Sequence, residues 1–586
     1  MTVLAGFFYR GQTAGSDQTL RADLVATLSR NPADRIEEVQ SGRCFLAKID
    51  IGAFGASGVC RGPDGATTML VGDPIGEQRA ADPARTRAAD AQEIHQALLV
   101  GNLTPLSTSR GAFCVAHHDE ARGRLVLATD RAGLRPMYFC NDGEHVVFAT
   151  ALRILESIPS VRKVLHLAGF ADLVHFGTEL GNRSPYLGIK RLRAGEMLVV
   201  GERETKTSFY WKWDDLQESS ESPDRLAQTG ADVVAESVSV RTGTIRSTTS
   251  MLTGGLDSRV IVTLLRERGI DVRSINFSIA GSQDQTFARQ FAELSGTQHE
   301  ERPSPPGTSY PDMSALLVKH LRSGDENHLK NPGRLVWHGF DGSFTLGYVH
   351  VLPQIVSLLR DNRTRDAAES YLRHKRIVWP RSTKAHYAAR FGALAKEAIE
   401  SGFSDSHFPD PGRRFYHFHF SQEARALMRG HFEDIDLSRI EYLTPFYDMK
   451  LIEFMHSVPI EYAFNHDFYM KVVSNYPESM LSLPWQTYPG HQPCPLPIPR
   501  ELEGRTQWEK GTVGAAARFR SKLSNQRGWE ILTTGEFPHE IISRLQFSFA
   551  YLVQFLLSKD YTYATKMIGL LQRHLAIAGG HLDDPI

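Results

Sequence analysis

The hexapeptide Thr253-Gly254-Gly255-Leu256-Asp257-Ser258 gathers backbone freedom, one carboxylate and two hydroxyls into one turn. Gly254 and Gly255 let the chain turn sharply after the apolar run "SMLT" and bring N–H groups close to an anion. Ser258 stands where a helix would begin, so its hydroxyl can bind phosphate or cap the first turn. The helix N-terminus adds roughly half a positive charge. The Lys-Ser/Thr pair of the common phosphate loop is missing, and Asp257 is the odd member. A carboxylate beside phosphates is repulsive unless a cation lies between them. Mg²⁺ suits that place, because it takes carboxylates together with phosphate oxygens. The same residues also fit a plain strand–turn–helix junction with Asp257 as its N-cap.

The elements around the loop alternate. "DRLAQTGADVVAESVSV" reads as a helix, "STTSMLT" as a strand, "SRVIVTLLRERG" as a helix ending at Gly269, and "DVRSINFSI" as a strand. "SQDQTFARQFAELSG" reads as a helix with Phe287, Ala288, Phe291 and Leu294 on one face. Strand–helix–strand–helix implies a parallel sheet with right-handed crossovers. The rest, to about residue 575, is mostly helical in pattern, and "TKMIGLLQRHLAIAGG" is one clear helix. The tail "HLDDPI" is expected to be loose. The first 210 residues differ in texture. "TTMLVGD", "GAFCVAHHD", "GRLVLATD" and "EHVVFAT" are short β-like runs ending at Gly or Asp, which suggests sheet layers with a few helices. The polar stretch "WKWDDLQESSESPDR", 211–225, reads as a linker.

Bulk properties narrow the class. The 586 residues suffice for two or more domains. A net charge of −1 offers no nucleic-acid or anionic-membrane surface. Cys44, Cys60, Cys114, Cys140 and Cys494 are scattered without a CxxC pair, so neither a disulfide framework nor a zinc site is indicated. No apolar run reaches ~18 residues, and "MTVLAGFFYRGQ" does not read as a signal peptide. The expectation is a cytosolic protein.

"TGGLDS" closely resembles the S-G-G-x-D-S pyrophosphate loop of the asparagine synthetase and β-lactam synthetase superfamily, with Thr253 keeping the hydroxyl of the first Ser. "INFSIAGSQDQTFARQFAELSGTQHEE" resembles that family's second motif, and "TPFYDMKLIEFMHSVP" its "PFLD…L…F…S.P" segment. "GAFCVAHHDEARGRLVLATDRAGLRPMYF" resembles the end of its amidotransferase-like domain. The resemblance implies an α/β protein in two parts. Residues 1–210 would be an Ntn-type, class II glutamine amidotransferase-like domain of sheet layers. After the linker, 226–586 would be a PP-loop ATP pyrophosphatase domain, a parallel sheet with a helical extension. It also implies ATP and Mg²⁺ as cofactors: a carboxylate is adenylated, pyrophosphate leaves, and an amine displaces AMP. Thr253, Gly254, Gly255, Leu256, Asp257 and Ser258 would hold the pyrophosphate, Asp257 would ligate Mg²⁺, and the residues around Phe277–Ile279, Ile279 among them, would line the adenine site.

Three departures qualify this. Glutamine-dependent members carry Cys directly after Met1; here residue 2 is Thr2, so the amidotransferase-like domain reads as scaffold without glutaminase activity. In "WHGFDGSFTLGY" Gly339 matches the first Gly of the family's G-x-G-x-D pattern, which puts Phe340 at the catalytic Glu/Tyr position and Ser343 at the second metal position. Asp341 could then serve as metal ligand or base, or merely cap a turn, and His338 is a nearby alternative base. In "LPWQTYPGHQPCPLP" the lysine expected after the Trp is absent, with none between Lys471 and Lys510. Tyr488 and His491 occupy that region. With Trp485 they make the segment an active-site lid or a packed, rigid loop. Cys494 reads as structural.

The "PWQTYPGHQPCP" stretch resembles that of lasso peptide cyclases. These adenylate an Asp or Glu side chain of a leader-free core peptide, and the peptide's N-terminal amine closes a threaded macrolactam. Partners implied are the precursor peptide, a leader-binding protein and a leader peptidase. The base would be His338, Asp341 or His491. An amide-forming enzyme acting on a small molecule, and a catalytically silent relative that binds nucleotide or peptide, are the alternatives.

Overall fold

The computed structural model describes residues 2–10, 18–55, 57–62, 65–214, 216–302, 317, 320, 327–347, 351–375, 379–423, 425–487, 492–506, 526–533, 536–557 and 562–583. Alternation along the early strands builds a layered sandwich. On the strand Thr2–Tyr9, Leu4 and Phe8 join an apolar cluster with Met69, Val71, Cys114, Ala116, Leu125 and Leu127. Val3, Ala5 and Phe7 point the other way, to Leu20, Leu24 and Leu28 of the helix Gln18–Leu28. On the strand Phe113–Asp119 the outward residues Phe113 and Val115 meet Ile94 and Leu98 of the helix Arg87–Leu99. The period of two is what lets one strand serve two layers. Two six-stranded antiparallel sheets thus stack between helices, the Ntn-type arrangement, with all strands between Thr2 and Phe209.

A parallel five-stranded sheet follows, in spatial order Gln298–Glu301, Asp271–Asn276, Ser247–Met251, Arg334–Trp337, Ile440–Leu443. The helix read before the first strand spans Pro223–Thr242, capped by Ser222, so the polar stretch 211–225 ends inside its first turn. Trp213, in that same stretch, is buried and stacks on His456 at 5.0 Å. Two expectations are corrected. Leu294 is 49% exposed; the buried face of Gln283–Ser295 is Phe287, Ala288, Phe291 and Ala292. The tail is partly ordered, since Leu582–Asp583 pairs in parallel with Leu165–His166. No helix among the described residues is long and apolar enough to cross a membrane.

The two halves share one core: Met251, Ile275, Phe340 and Tyr442 cluster with Val3, Phe45 and Leu134. Buried ion pairs cross the same junction. The Asp130 carboxylate accepts N–H groups of Phe113, Ala132, Leu134 and Arg135, which sets the turn in "DRAGLRP". That turn presents Arg135 to Glu441 at 2.6 Å and Arg131 to Glu453. Arg110 meets Asp448 at 3.0 Å, and Arg241 shares that carboxylate at 2.6 Å.

Candidate active site

Sheet order places the site. From Ser247–Met251 the chain builds outward to Asp271–Asn276 and Gln298–Glu301, then crosses to Arg334–Trp337 on the other side. The strand order reverses beside Ser247–Met251, and such a switch opens a crevice at the carboxyl ends of the strands. The loops after Met251 and after Trp337 face each other across it.

The first is the hexapeptide. Gly255 is the N-cap of the helix Leu256–Glu267, so Asp257 and Ser258 lie in its first turn and Asp257 is not the cap. Ser258 Oγ accepts the Thr253 N–H at 3.0 Å and lies 3.0 Å from Thr253 Oγ1. The Gly254 N–H is held by Asp284 at 2.8 Å, and a side chain on Gly254 would lie 2.7 Å from Asp284 Cα. Asp284, the acid of "GSQD", therefore shapes the loop from behind, together with Asn276 Nδ2 at 3.2 Å. Sequence reasoning gave it no role, although the motif contained it.

The second loop closes on the first. A Cβ on Gly339 would sit 2.8 Å from Ser258 N, and one on Gly342 would sit 2.8 Å from Asp257 Cγ. Only glycine permits so close an approach. Asp341, between them, holds a left-handed φ of 55°, uncommon for a residue with a side chain. Its carboxylate accepts a hydrogen bond from Tyr447. Asp257 accepts one from Tyr469 at 2.5 Å and others from the Ser343 backbone and hydroxyl. Ser343, at the family's metal position, thus donates to a candidate ligand. Both carboxylates keep partial solvent contact but are recessed. Burial raises Asp257 from its ordinary value, and burial with the charge of Asp257 pushes Asp341 up to about 7.

Two neighbouring acids whose charges disfavour each other would be relieved by a divalent cation. Among the described residues no group of three His, Cys, Asp or Glu could hold a metal. The donors available are two hard oxygen ligands, which suits Mg²⁺ with phosphate and water completing its shell. Asp257 and Asp341 would hold it, and it would offset phosphate charge.

His338 stands at the start of the second loop. Its ring stacks on Phe340 at 3.5 Å between centroids, and burial drops it to about 3. Phe340 itself is buried against Tyr442. Ile279 follows the strand Asp271–Asn276 and accepts the Ser282 N–H at 3.0 Å. Tyr488 and His491 lie outside the described residues. Trp485 and Gln486 are buried, and the Gln486 N–H donates to Gly254 O at 2.9 Å, so this part of the Pro-rich segment packs on the loop. Tyr447 and Tyr469, both buried, were not anticipated. Tyr447 stands inside the quoted "TPFYDMK", but no local pattern marks Tyr469.

Two family models match stretches of this chain. Residues 84–211 match the family of glutamine amidotransferase domains, and 229–318 match asparagine synthase. Asp341 and Tyr447 lie beyond the matched stretch. A Methanocaldococcus jannaschii protein carrying the name asparagine synthetase (glutamine-hydrolyzing) 2 is 26% identical over 32% of this chain and 37% of its own. The Bacillus subtilis asparagine synthetase (glutamine-hydrolyzing) 3 is 23% identical over 26% and 25%. The chain therefore spans about a quarter to two fifths of these relatives. A solved allosteric regulatory enzyme of purine biosynthesis overlaps 55% of this chain and 87% of its own at 12% identity, with a TM-score of only 0.27.

Proposed function

Since the chain is a member of the asparagine synthetase superfamily, joining a glutamine amidotransferase domain to an asparagine synthase domain, we propose that it is an ATP-dependent, AMP-forming lasso peptide cyclase. The observation that carries the ligase half of this reading is the meeting of Asp257, Asp341 and Ser258 in the switch-point crevice. The peptide half is supported by Thr2 in place of the glutaminase cysteine and by the "PWQTYPGHQPCP" segment.

In the first step an Asp or Glu side-chain oxygen of the core peptide attacks the α-phosphorus of ATP. The α–β anhydride bond breaks and pyrophosphate leaves toward Thr253–Ser258, where the N-terminus of the helix Leu256–Glu267 favours its charge. Mg²⁺, when bound, would neutralise phosphate charge at Asp257 and Asp341. In the second step the peptide's N-terminal amine attacks the acyl carbon, the acyl–phosphate oxygen bond breaks, AMP departs and the amine loses a proton. Amine and acyl group sit on one peptide, so holding them in place supplies an effective molarity up to about 10⁵ M or more. His338, neutral but held near 3, is a weak acceptor for an ammonium proton. Asp341 is better matched while no cation claims it.

Precursor peptide, leader-binding protein and leader peptidase are the partners this reading requires. The second reading, amide formation on a small molecule, is favoured by the names of the relatives. Incubation with ATP, Mg²⁺ and a core peptide separates the two: product one water lighter than the peptide, with AMP and pyrophosphate, supports cyclisation. AMP release only with a small amino acid would sink it.

A further inference from the structure

Directly after the loop's serine comes Arg259, which has no solvent exposure. Buried guanidinium groups ordinarily face a carboxylate. This one does not. Its Nη2 donates to Pro484 O at 2.6 Å and, at 3.5 Å, to Gly254 O; its Nη1 donates to Leu483 O at 3.1 Å and, at 3.5 Å, to Met480 O. Its Nε finds no acceptor among the described residues, and its carbon lies 5.1 Å over the Phe291 ring. Asp284 attracts it only at longer range. Gly254 O is shared, because it also accepts the Gln486 N–H. One fixed, carboxylate-free cation therefore ties the loop to the segment Met480–Gln486, in a chain without a lysine between Lys471 and Lys510.

We infer that Arg259 is a positioning residue for pyrophosphate departure. It fastens Met480–Gln486 to the loop and sets behind the loop a positive charge that bound pyrophosphate balances. The inference rests on the reading of Thr253–Ser258 as a pyrophosphate site. Lysine keeps the charge but is a point donor, unable to bridge four carbonyls in a planar fork. Charge and fastening can therefore be separated.

The test uses the full chain. Titration calorimetry with inorganic pyrophosphate and Mg²⁺ reads the charge, and hydrogen–deuterium exchange over 480–487 reads the fastening. Arg259→Gln should bind pyrophosphate about tenfold more weakly and exchange faster over 480–487. Arg259→Lys should bind within a few-fold of wild type yet exchange as fast as the Gln variant. Equal pyrophosphate affinity in wild type and Arg259→Gln overturns this inference alone. Failure of the wild type to bind pyrophosphate overturns the loop assignment and this inference with it. Should Arg259→Gln not fold, unchanged exchange over 480–487 in Arg259→Lys overturns the fastening.

Discussion

Tyr469→Phe removes one oxygen and nothing else from the wall of the crevice. That hydroxyl donates to Asp257 at 2.5 Å, and the ring is only 3% exposed, so no bulk water replaces it. A hydrogen bond to a charged group is worth about 1.5–3 kcal/mol. Two other donors to Asp257, both from Ser343, stay in place, which puts the loss near the middle, about 2 kcal/mol. Partners that orient a metal-binding carboxylate typically govern about 10–100-fold in metal affinity. At 1.4 kcal/mol per decade, about 2 kcal/mol predicts that half-saturating Mg²⁺ rises roughly thirtyfold. Rate at saturating Mg²⁺ should fall far less, because the donor acts through Asp257. The assay is ATP–pyrophosphate exchange, or AMP release, as a function of Mg²⁺, with thermal melting alongside. A melting point that drops while the Mg²⁺ curve stays put would refute the reasoning and reduce Tyr469 to packing.

Three further outcomes follow from the geometry. Gly339→Ala puts a methyl 2.8 Å from Ser258 N; it should cost about 1–3 kcal/mol in a melt and abolish most ATP turnover by displacing the loop. Asp448→Ala takes from Arg241 its paired carboxylate and leaves Arg110 with Glu236 alone; it should destabilise by about 3 kcal/mol in denaturant unfolding, and a loss under about 1 kcal/mol would contradict the pairing. Lys48 is 1% exposed, its Nζ 3.6 Å from Asp50, and burial with the Arg87 charge pulls it down to about 7. The unfolded chain holds that proton to about 10.4. Between those values the unfolded state binds the extra proton, so stability rises with pH there. Lys48→Met should flatten that rise by up to about 1.4 kcal/mol per pH unit, measured by urea unfolding at two alkaline pH values.

What the sequence disclosed was local. The loop residues, the strand before them and the helix after them are adjacent in the chain, and period and turn chemistry reveal such neighbours. Asp341 was accessible as a motif departure. Its proximity to Asp257 was not, because it follows from the sheet order that brings the turn after Trp337 beside the loop. Tyr469 is 212 residues from its partner Asp257, and nothing near it in the chain marks a donor. Arg259 looks like any helix arginine until the acceptors at 480–484 fold over it. Leu294 shows the limit of periodicity, since a helix pattern names a face but not how far the neighbouring layer reaches. The pairing of Leu582–Asp583 needs a partner strand some four hundred residues earlier, which no tail composition discloses.

The core common to both halves bears on how such a chain can evolve. Substitutions in the amino-terminal sandwich reach the crevice through that core. Val3, Phe45 and Leu134 back the same cluster that seats Met251, at the end of the strand before the first loop, and Phe340, within the second. Gene fission at the polar stretch near residue 215 would release a carboxy-terminal fragment with that floor open to water and with Asp448 deprived of Arg110. The amino-terminal sandwich would then be inherited as the foundation of the crevice.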